Sequence, residues 1–403
     1  MPNPPPHPSG SAAHLLPRGE KGGLSDVLAL YVHWPYCARI CPYCDFNVVR
    51  DRGRVEEQAG LVQTILADMK AQSLLVGPRR LASIFFGGGT PSLMPPEAVA
   101  AVIAQAKALF PPAGDIEITL EANPTDAEAG RYAALAVAGI NRLSMGVQSF
   151  DDAALTFLGR DHLAAEARRA VQTAGEAFPR LSIDLIYARP GQSVADWTAE
   201  LTTALDLGFE HISPYQLTIE PTTAFGRAFA RGTLTPPDED LAASLYEATQ
   251  AVLESAGFEA YEVSNHARDV AARSFHNLHV WRGGDYLGLG PGAHGRLTLE
   301  GQRTATVAHR RIPDYVAGVA KGAPWAERET LDLPGAAEEL VLLGLRTVEG
   351  VPLVLLQALG LSETTGPLAD LIADGFLGLQ DGRIAATARG RPLLDAVLKA
   401  LLT

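Results

Sequence analysis

The chain has 403 residues, of which 47% are hydrophobic and 20% charged, and its formal net charge is −13. This composition is typical of a globular protein long enough for one large domain and one small one. The acidic balance argues against nucleic acid as the main partner, and no apolar run approaches the ~18 residues of a membrane span.

The first 25 residues are rich in proline, and they contain no apolar segment of the kind found in a signal peptide. They are predicted to form a flexible tail that takes no part in the core. The three cysteines of the sequence lie close together beyond this tail, so a disulfide framework is not predicted. A reducing cytoplasm is the expected location.

From residue 28, short apolar runs alternate with amphipathic helical stretches. The predicted strands are Leu28–His33, Leu81–Phe86, Ile116–Leu120, Arg142–Val147, Ser182–Ile186 and His211–Leu217. The predicted helices between them are Glu56–Leu75, Pro96–Phe110, Asp126–Ala138, Ala164–Ala177 and Val194–Leu207. This alternation predicts an α/β fold in which a parallel sheet curves into a partial (βα)6 TIM-like barrel. A doubly wound open sheet is the alternative architecture.

The barrel is assigned to residues 26–265, and residues 266–336 are predicted to be a connecting segment. Residues 337–403 are predicted to form a small, mainly helical, winged-helix-like domain, in which a hairpin turns at Asp381-Gly382. This domain carries five Lys and Arg against eight Asp and Glu. A packing or lid role is therefore favoured over DNA binding.

The cysteines Cys37, Cys41 and Cys44 form a C-x3-C-x2-C motif directly after the first predicted strand. Three thiolates on one loop can hold a [4Fe–4S] cluster and leave one of its four irons open to a small molecule. A zinc site with His33 as the fourth ligand is the alternative on composition alone.

Polar and glycine-rich residues follow the predicted strands, and in α/β barrels this end of the strands builds the active site. The triplet at residues 87–89 would let a ligand approach the backbone closely, and Glu121 could accept hydrogen bonds from ribose hydroxyls. Gln148, Arg160 and Asp184 could complete a polar ring. Each of these features alone also fits a structural role, such as a tight turn or a charge near a helix N-terminus.

The cysteine motif resembles the signature of the radical S-adenosylmethionine (SAM) proteins. Longer motifs resemble the oxygen-independent coproporphyrinogen III oxidase group within them, namely G-G-G-T-P-S, T-L-E-A-N-P, N-R-L-S-M-G-V-Q-S-F, D-L-I-Y-A-R-P-G-Q and G-D-Y-L-G-L-G-P-G-A-H. The resemblance extends from about residue 29 to the C-terminus. It implies that Cys37, Cys41 and Cys44 bind a [4Fe–4S] cluster, that SAM chelates the open iron, and that a separate electron donor reduces the cluster.

The same resemblance implies which residues contact or lie near SAM, and it carries no catalytic residue over to this chain. The implied SAM residues are Tyr31, Tyr43, Gly88, Gly89, Thr90, Glu121, Gln148, Arg160, Asp184 and Thr218.

Two departures from the oxidase pattern bear on function. Phe46 stands where the coproporphyrinogen enzymes have a further cysteine, and this is similar to the haem-chaperone (HemW-type) members of the family. Those members carry H-N-x-x-Y-W, which residues 276–281 match except at Val280. Because neutral imidazole is a good ligand for haem iron, His276 and His279 are candidate haem ligands. The alternative is that His276 caps a turn.

Three functions follow from these observations. The first is a haem chaperone that carries haem as cargo to acceptor haemoproteins, some of them membrane-associated. The second is an enzyme that decarboxylates two propionates of coproporphyrinogen III to vinyl groups, so enzymatic activity is left open. The third is a zinc-stabilised barrel with unrelated binding duties. None of the three requires a nucleic-acid partner.

Overall fold

The computed structural model of the protein describes residues 26–402, and the predicted tail of residues 1–25 lies outside them. The strands, in chain order, are β1 (Val27–Trp34), β2 (Tyr36–Cys37), β3 (Val49–Arg50), β4 (Arg80–Gly88), β5 (Pro112–Ala122), β6 (Arg142–Gln148), β7 (Leu181–Tyr187), β8 (His211–Gln216), β9 (Glu259–Ala260), β10 (His266–Ala267), β11 (Asp285–Leu289), β12 (His294–Leu299), β13 (Gln302–Ala308), β14 (Trp325–Thr330), β15 (Val351–Pro352), β16 (Leu377–Gln380) and β17 (Arg383–Ala386).

The α-helices, in chain order, are α1 (Val55–Val76), α2 (Pro96–Leu109), α3 (Asp126–Ala129), α4 (Tyr132–Val137), α5 (Asp152–Phe157), α6 (Ala164–Ala177), α7 (Val194–Leu205), α8 (Ala224–Ala230), α9 (Glu239–Ser255), α10 (Phe275–Trp281), α11 (Ile312–Ala320), α12 (Leu333–Gly344), α13 (Leu353–Ala358), α14 (Pro367–Ala373) and α15 (Leu394–Leu402). None of the helices within residues 26–402 is both long and apolar enough to cross a bilayer.

Six strands, β1 and β4 to β8, lie side by side in parallel and in chain order. Helices occupy the connections between them, so the α/β prediction of a partial (βα)6 barrel is confirmed. The strand order does not reverse in this region, which excludes the doubly wound alternative. Because the free side of β1 pairs with β11 instead of β8, the barrel stays open.

The strands of the barrel are buried on both faces, as is usual when helices cover a parallel sheet. In β1, for example, Leu28, Leu30 and Val32 are fully buried, and in α1 Leu61 and Ile65 pack in the same core. The predicted apolar face of the first helix is therefore confirmed.

The stretch predicted as one helix over 126–138 forms two short helices, α3 and α4, with a turn at residues 130–131. Gly130 lies at this turn, and glycine is a poor helix former. Nearby, the carboxylate of Glu128 accepts a hydrogen bond from the backbone amide of Asn123 at 2.8 Å. This hydrogen bond holds α3, and with it the turn, against the loop at the carboxyl end of β5.

The segment predicted as a connection contributes five strands to the main sheet, and the first of them, β10, pairs antiparallel with β8. β11 pairs in parallel with β1, from Leu28 opposite Asp285 to Val32 opposite Leu289, and β12 to β14 extend the sheet as antiparallel strands. The strand pattern is weak in this sequence because Gly288 interrupts it. A Cβ at this position would lie 2.1 Å from the backbone oxygen of His294, so only glycine allows the close approach.

The C-terminal residues form a separate core around the three-stranded sheet β15-β17-β16 and the helices α12 to α15. Ion pairs join this unit to β13 and to the end of α10: Arg303 Nε lies 2.7 Å from Glu339 Oε1, and Arg282 Nη2 lies 2.5 Å from Glu349 Oε1. The arrangement of helices and a small sheet fits the predicted winged-helix-like architecture.

Candidate functional site

The three cysteines lie on a loop that begins at β2 and returns at β3. These two strands pair in parallel, with Cys37 opposite Arg50, and the amide of Asp51 donates to the carbonyl of Cys37 at 2.8 Å. Within the loop, the amide of Cys44 donates to the carbonyl of Cys41 at 3.2 Å. Both ends of the loop are therefore held while its thiols face the mouth of the barrel.

A cavity of about 490 Å³, here called the cysteine cavity, lies between this loop and the carboxyl ends of the barrel strands. All three cysteines line it, together with nine of the ten predicted SAM residues: Tyr43, Gly88, Gly89, Thr90, Glu121, Gln148, Arg160, Asp184 and Thr218. They meet because parallel strands of a barrel end at one face. Tyr31 lines a neighbouring cavity instead.

The thiols suit a cluster better than a single zinc ion. Within residues 26–402, no group of three His, Cys, Asp or Glu side chains is close enough together to hold a single metal ion. A [4Fe–4S] cluster does not require this, because each thiolate binds a different iron. The proposed fourth zinc ligand, His33, already bonds through both ring nitrogens, to Tyr31 Oη at 3.0 Å and to the carbonyl of Asn47 at 2.8 Å. Burial raises the pKa of Cys37 to about 11, so this thiol needs a cationic or metal partner to ionise.

Arg160 connects the cysteine loop to the strand ends. Its guanidinium lies 3.3 Å from Cys41 Sγ and donates to the carbonyl of Gly146 at 2.9 Å, and it also bonds to Asn123 Oδ1. A fixed positive charge at this position stabilises a thiolate or another anionic group.

The glycine triplet also has a structural role beside the cysteine loop. A Cβ on Gly88 would lie 2.5 Å from the ring of His33, and one on Gly89 would lie 2.7 Å from the carbonyl of Tyr36. The amide of Thr90 donates to the same carbonyl at 2.8 Å. The glycines are therefore needed so that β4 can pack against the stem of the cysteine loop, in addition to lining the cavity.

Two partly buried carboxyl groups face the cavity. Glu121 Oε2 accepts from the amide of Gly88 at 3.1 Å, and Asp184 Oδ2 accepts from Ser144 Oγ at 3.2 Å. Burial, and then the nearby charge of Asp184, raise the pKa of Glu121 to about 7; burial raises the pKa of Asp184 to about 6. Asp184 Oδ1 has no hydrogen-bond partner among the described residues, so a ligand donor at this position would satisfy it.

The raised pKa of Glu121 predicts a pH-dependent stability. The folded state holds this proton more tightly than the unfolded state, so the stabilising contribution of the protonated group is lost as pH rises from about 4.5 to about 7. We compare the two proteins without ligands at about pH 5 and about pH 8. Over this rise in pH, the unfolding free energy of the wild type should fall by on the order of 1–3 kcal/mol more than that of Glu121→Gln. Urea unfolding at both pH values measures this difference. The same change at the exposed residue Glu97 should give no such difference, and parallel pH profiles for wild type and Glu121→Gln would contradict the prediction.

The inner face of β6 was only partly predicted. Ser144, Gly146 and Gln148 alternate with the buried residues Leu143 and Met145, so every second side chain faces the cavity. The small residues leave room for a ligand, and Gln148 has a φ of +67°, a strained value for a residue other than glycine. The period of two along N-R-L-S-M-G-V-Q would have indicated Ser144 and Gly146.

A second cavity of about 690 Å³, here called the aromatic cavity, adjoins the first. The residues that line it and not the cysteine cavity include Tyr31, His33, Phe85, His276, Asn277, Val280, Trp281, Tyr286, His294, Val307, Arg310 and Glu327. The two cavities share Asp45, Phe46, Gly88 and Glu121 as a common wall. Phe46, in place of a fourth cysteine, is 63% exposed at this boundary.

His276 is held at the base of the aromatic cavity. Its Nδ1 lies 2.8 Å from Ser83 Oγ, and its ring centroid lies 5.0 Å from that of Phe85. The backbone amide of His276 donates to the buried carboxylate of Glu117 at 2.8 Å, which fixes the first turn of α10. Burial lowers the pKa of His276 to about 3, so the ring is neutral at physiological pH, as a metal ligand must be.

His279 lines neither cavity, so the structure does not bring it together with His276. Its Nε2 is 2.9 Å from the carbonyl of Asp285, and a Cβ on Gly284 would lie 2.4 Å from its ring. One helical position separates it from the cavity-lining residue Val280. Its role in the structure is to pack the end of α10 against β11.

Family models match two parts of the chain. The one described as the radical SAM superfamily matches residues 31–202, and the one described as the HemN C-terminal domain matches residues 331–393. The first range runs from the second half of β1 to most of α7 and includes the cysteine loop, and the second covers most of the C-terminal unit.

Curated relatives match almost the whole chain. The protein named radical S-adenosyl methionine domain-containing protein 1, mitochondrial, from Mus musculus is 43% identical over 93% of this chain and 87% of its own length. The protein named heme chaperone HemW from Escherichia coli is 36% identical over 93% of this chain and 98% of its own length.

The fold also resembles a solved structure, described as coproporphyrinogen III oxidase (HemN) from Escherichia coli, a radical SAM enzyme. The TM-score is 0.78, with 22% identity, and the match covers 97% of this chain and 92% of the other. At this level of identity the similarity establishes a common fold.

Proposed function

The chain belongs to the HemW-type group of the radical SAM superfamily, and from this premise we propose that it is a haem chaperone. In this proposal the cysteine cavity holds a [4Fe–4S] cluster and SAM, and the aromatic cavity holds haem for delivery to acceptor haemoproteins. The observation that carries the proposal is the pair of adjoining cavities, one lined by three thiols and the other by a buried neutral imidazole.

In the cysteine cavity, Cys37, Cys41 and Cys44 would ligate the cluster. When bound and reduced, such a cluster with SAM supplies a 5′-deoxyadenosyl radical. Glu121 would accept hydrogen bonds from ribose hydroxyls of SAM, since carboxyl oxygens accept such bonds in nucleotide sites. Asp184, Gln148 and Arg160 would supply further polar contacts around the ligand.

In the aromatic cavity, His276 would ligate haem iron through Nε2. When Nδ1 carries the proton and donates to Ser83 Oγ, the lone pair on Nε2 is available to a metal, and the bond to Ser83 fixes the ring. Trp281 and Tyr286 offer surface to the flat macrocycle, and the exposed residue Arg310 at the rim suits a propionate.

Proposed partners are haem, acceptor haemoproteins and an electron donor for the cluster. One relative is named as a mitochondrial protein and another comes from Escherichia coli. The cytoplasmic location therefore stays a prediction.

One observation favours a second candidate, oxidative decarboxylation of coproporphyrinogen III. Gly88 and Glu121 line both cavities, so a tetrapyrrole in one cavity would lie beside SAM in the other. This arrangement suits hydrogen abstraction from a propionate side chain, which requires the two reactants to be adjacent. Phe46 argues for the chaperone, because the resembling oxidases have cysteine there.

Product analysis separates the two functions. The protein is reconstituted anaerobically with iron and sulfide and supplied with SAM, a chemical reductant and coproporphyrinogen III, and the tetrapyrroles are separated by chromatography. We expect no protoporphyrinogen IX. We also expect haem loaded on the same sample to pass to an apo-haemoprotein, as followed in the Soret band. Many product molecules per protein, absent in the Cys41→Ala variant, would establish the decarboxylase instead.

A further inference from the structure

A third cavity, of about 870 Å³, lies beside the cysteine loop, and its lining carries a net positive charge although it includes Glu57, which pairs with Arg54 at 3.1 Å. Five arginines line it, and they are here called the arginine face: Arg50, Arg52, Arg54, Arg310 and Arg311. All five are exposed, in a chain whose net charge is −13. A local basic surface on an acidic protein attracts anionic partners and repels cationic ones.

The floor of this cavity is apolar. Val49 and Val316 are 40% and 38% exposed, and Ile312 and Ala317 lie beside them. Exposed apolar side chains surrounded by arginines are typical of protein interfaces, in which an apolar centre is enclosed by a charged rim. A small free anion would use the arginines and leave this floor unused.

The position of the arginine face relates it to the cysteine loop. Arg50 lies in β3 directly opposite Cys37 in β2, so the face is built on the strand that closes the loop. A partner that docks on it would therefore lie next to the proposed cluster.

The electron for that cluster has to come from another molecule. The sequence contains three cysteines, and the proposed cluster uses all of them. Elsewhere in residues 26–402 no group of side chains is arranged to hold a metal ion that could store an electron. A reductant must therefore approach the cysteine loop from outside.

We propose that the arginine face docks an acidic one-electron carrier protein, of the flavin or iron–sulfur class, beside the cysteine loop. The inference rests on the proposed function, because it requires a cluster in that loop. In the transfer the carrier is oxidised by one electron and the cluster is reduced by one electron, with no bond made or broken. Complementary charge would guide the carrier to this face and speed its association.

The test measures binding of a purified small acidic flavodoxin, in its oxidised form, to the full-length protein. We expect the variant Arg50→Glu/Arg52→Glu/Arg311→Glu to bind at least about tenfold more weakly than wild type. Wild-type affinity should also fall as salt is raised. A matched variant, Lys70→Glu/Lys107→Glu/Lys399→Glu, makes the same change of net charge at exposed residues of α1, α2 and α15 that line neither the arginine face nor the cysteine cavity, and it should bind as wild type does.

Reduction of the reconstituted cluster gives a second readout. Dithionite should reduce the cluster of wild type and of both variants equally, whereas reduced flavodoxin should reduce that of the arginine variant at least about tenfold more slowly. Equal affinity and equal flavodoxin rates in all three proteins would overturn the docking site. A wild type that binds no flavodoxin would also overturn it.

Two further results would reject the docking site for other reasons. If the arginine variant loses binding to vesicles of anionic phospholipid but keeps its affinity for flavodoxin, the face is a membrane contact and the proposal is wrong. If reconstitution yields no cluster in the wild type, the proposed function fails, and with it the docking site that depends on it.

Discussion

Replacing Cys41 with alanine is expected to abolish the iron–sulfur cluster. The change leaves two thiols, and it also removes the sulfur that lies 3.3 Å from the guanidinium of Arg160. Because the sequence has no further cysteine, no other thiol can replace it as a ligand. After anaerobic reconstitution, iron and sulfide content should fall to near the background value, and the brown absorbance should be lost.

The control for this variant is Ile40→Ala. Ile40 lies next to Cys41 in the loop and is 46% exposed, so its truncation alters the loop surface and leaves all three thiols in place. It should bind iron and sulfide as wild type does. A Cys41→Ala protein with normal cluster content would refute the assignment of the cysteine loop.

The second large effect is expected at His276. Its change to alanine should weaken haem binding by at least about tenfold, or about 1.4 kcal/mol, and shift the Soret band. The physical reason is loss of the only predicted ligand that remains in the aromatic cavity, since His279 lies outside it. Titration with haem, followed by absorbance, measures both quantities.

Two comparisons keep this result interpretable. His294→Ala removes an exposed imidazole from the rim of the same cavity and should change haem affinity little. His276→Ala also leaves the buried Ser83 hydroxyl without its partner, so a stability loss of about 1–3 kcal/mol is expected and should be measured separately. Unchanged haem affinity and an unchanged Soret band in a folded His276→Ala protein would assign His276 a purely structural role.

The barrel could be predicted from sequence because its strands are buried on both faces. Continuous apolar runs such as Leu28–Val32 stand out against the helices between them. β11 could not be recognised in this way, because Gly288 weakens the strand pattern and its partner, β1, is far away in the sequence. The sheet there depends on a close backbone approach at Gly288, which no local pattern reveals.

The candidate site was predicted unevenly for related reasons. The cysteines and most strand-end residues were found because the ends of parallel strands converge at one face. Tyr31, which the resemblance implies as a SAM contact, lies in β1 two residues before His33, so their side chains share one face. Both line the aromatic cavity, which adjoins the cysteine cavity. Asn123 was missed because asparagine after a strand is common in turns, and only the structure shows its contact with Arg160.

The pairing of β1 with β11 also bears on how the protein is made. β1 begins at Val27, whereas β11 begins at Asp285, and a ribosome needs roughly 13–50 s to synthesise the intervening chain at ~5–20 residues per second. During that interval the strand that leads into the cysteine loop has one unpaired edge, which can pair with strands of other nascent chains. Translation that stalls before Asp285 would therefore release a fragment with an exposed sheet edge, and the cell would have to protect it with chaperones or degrade it.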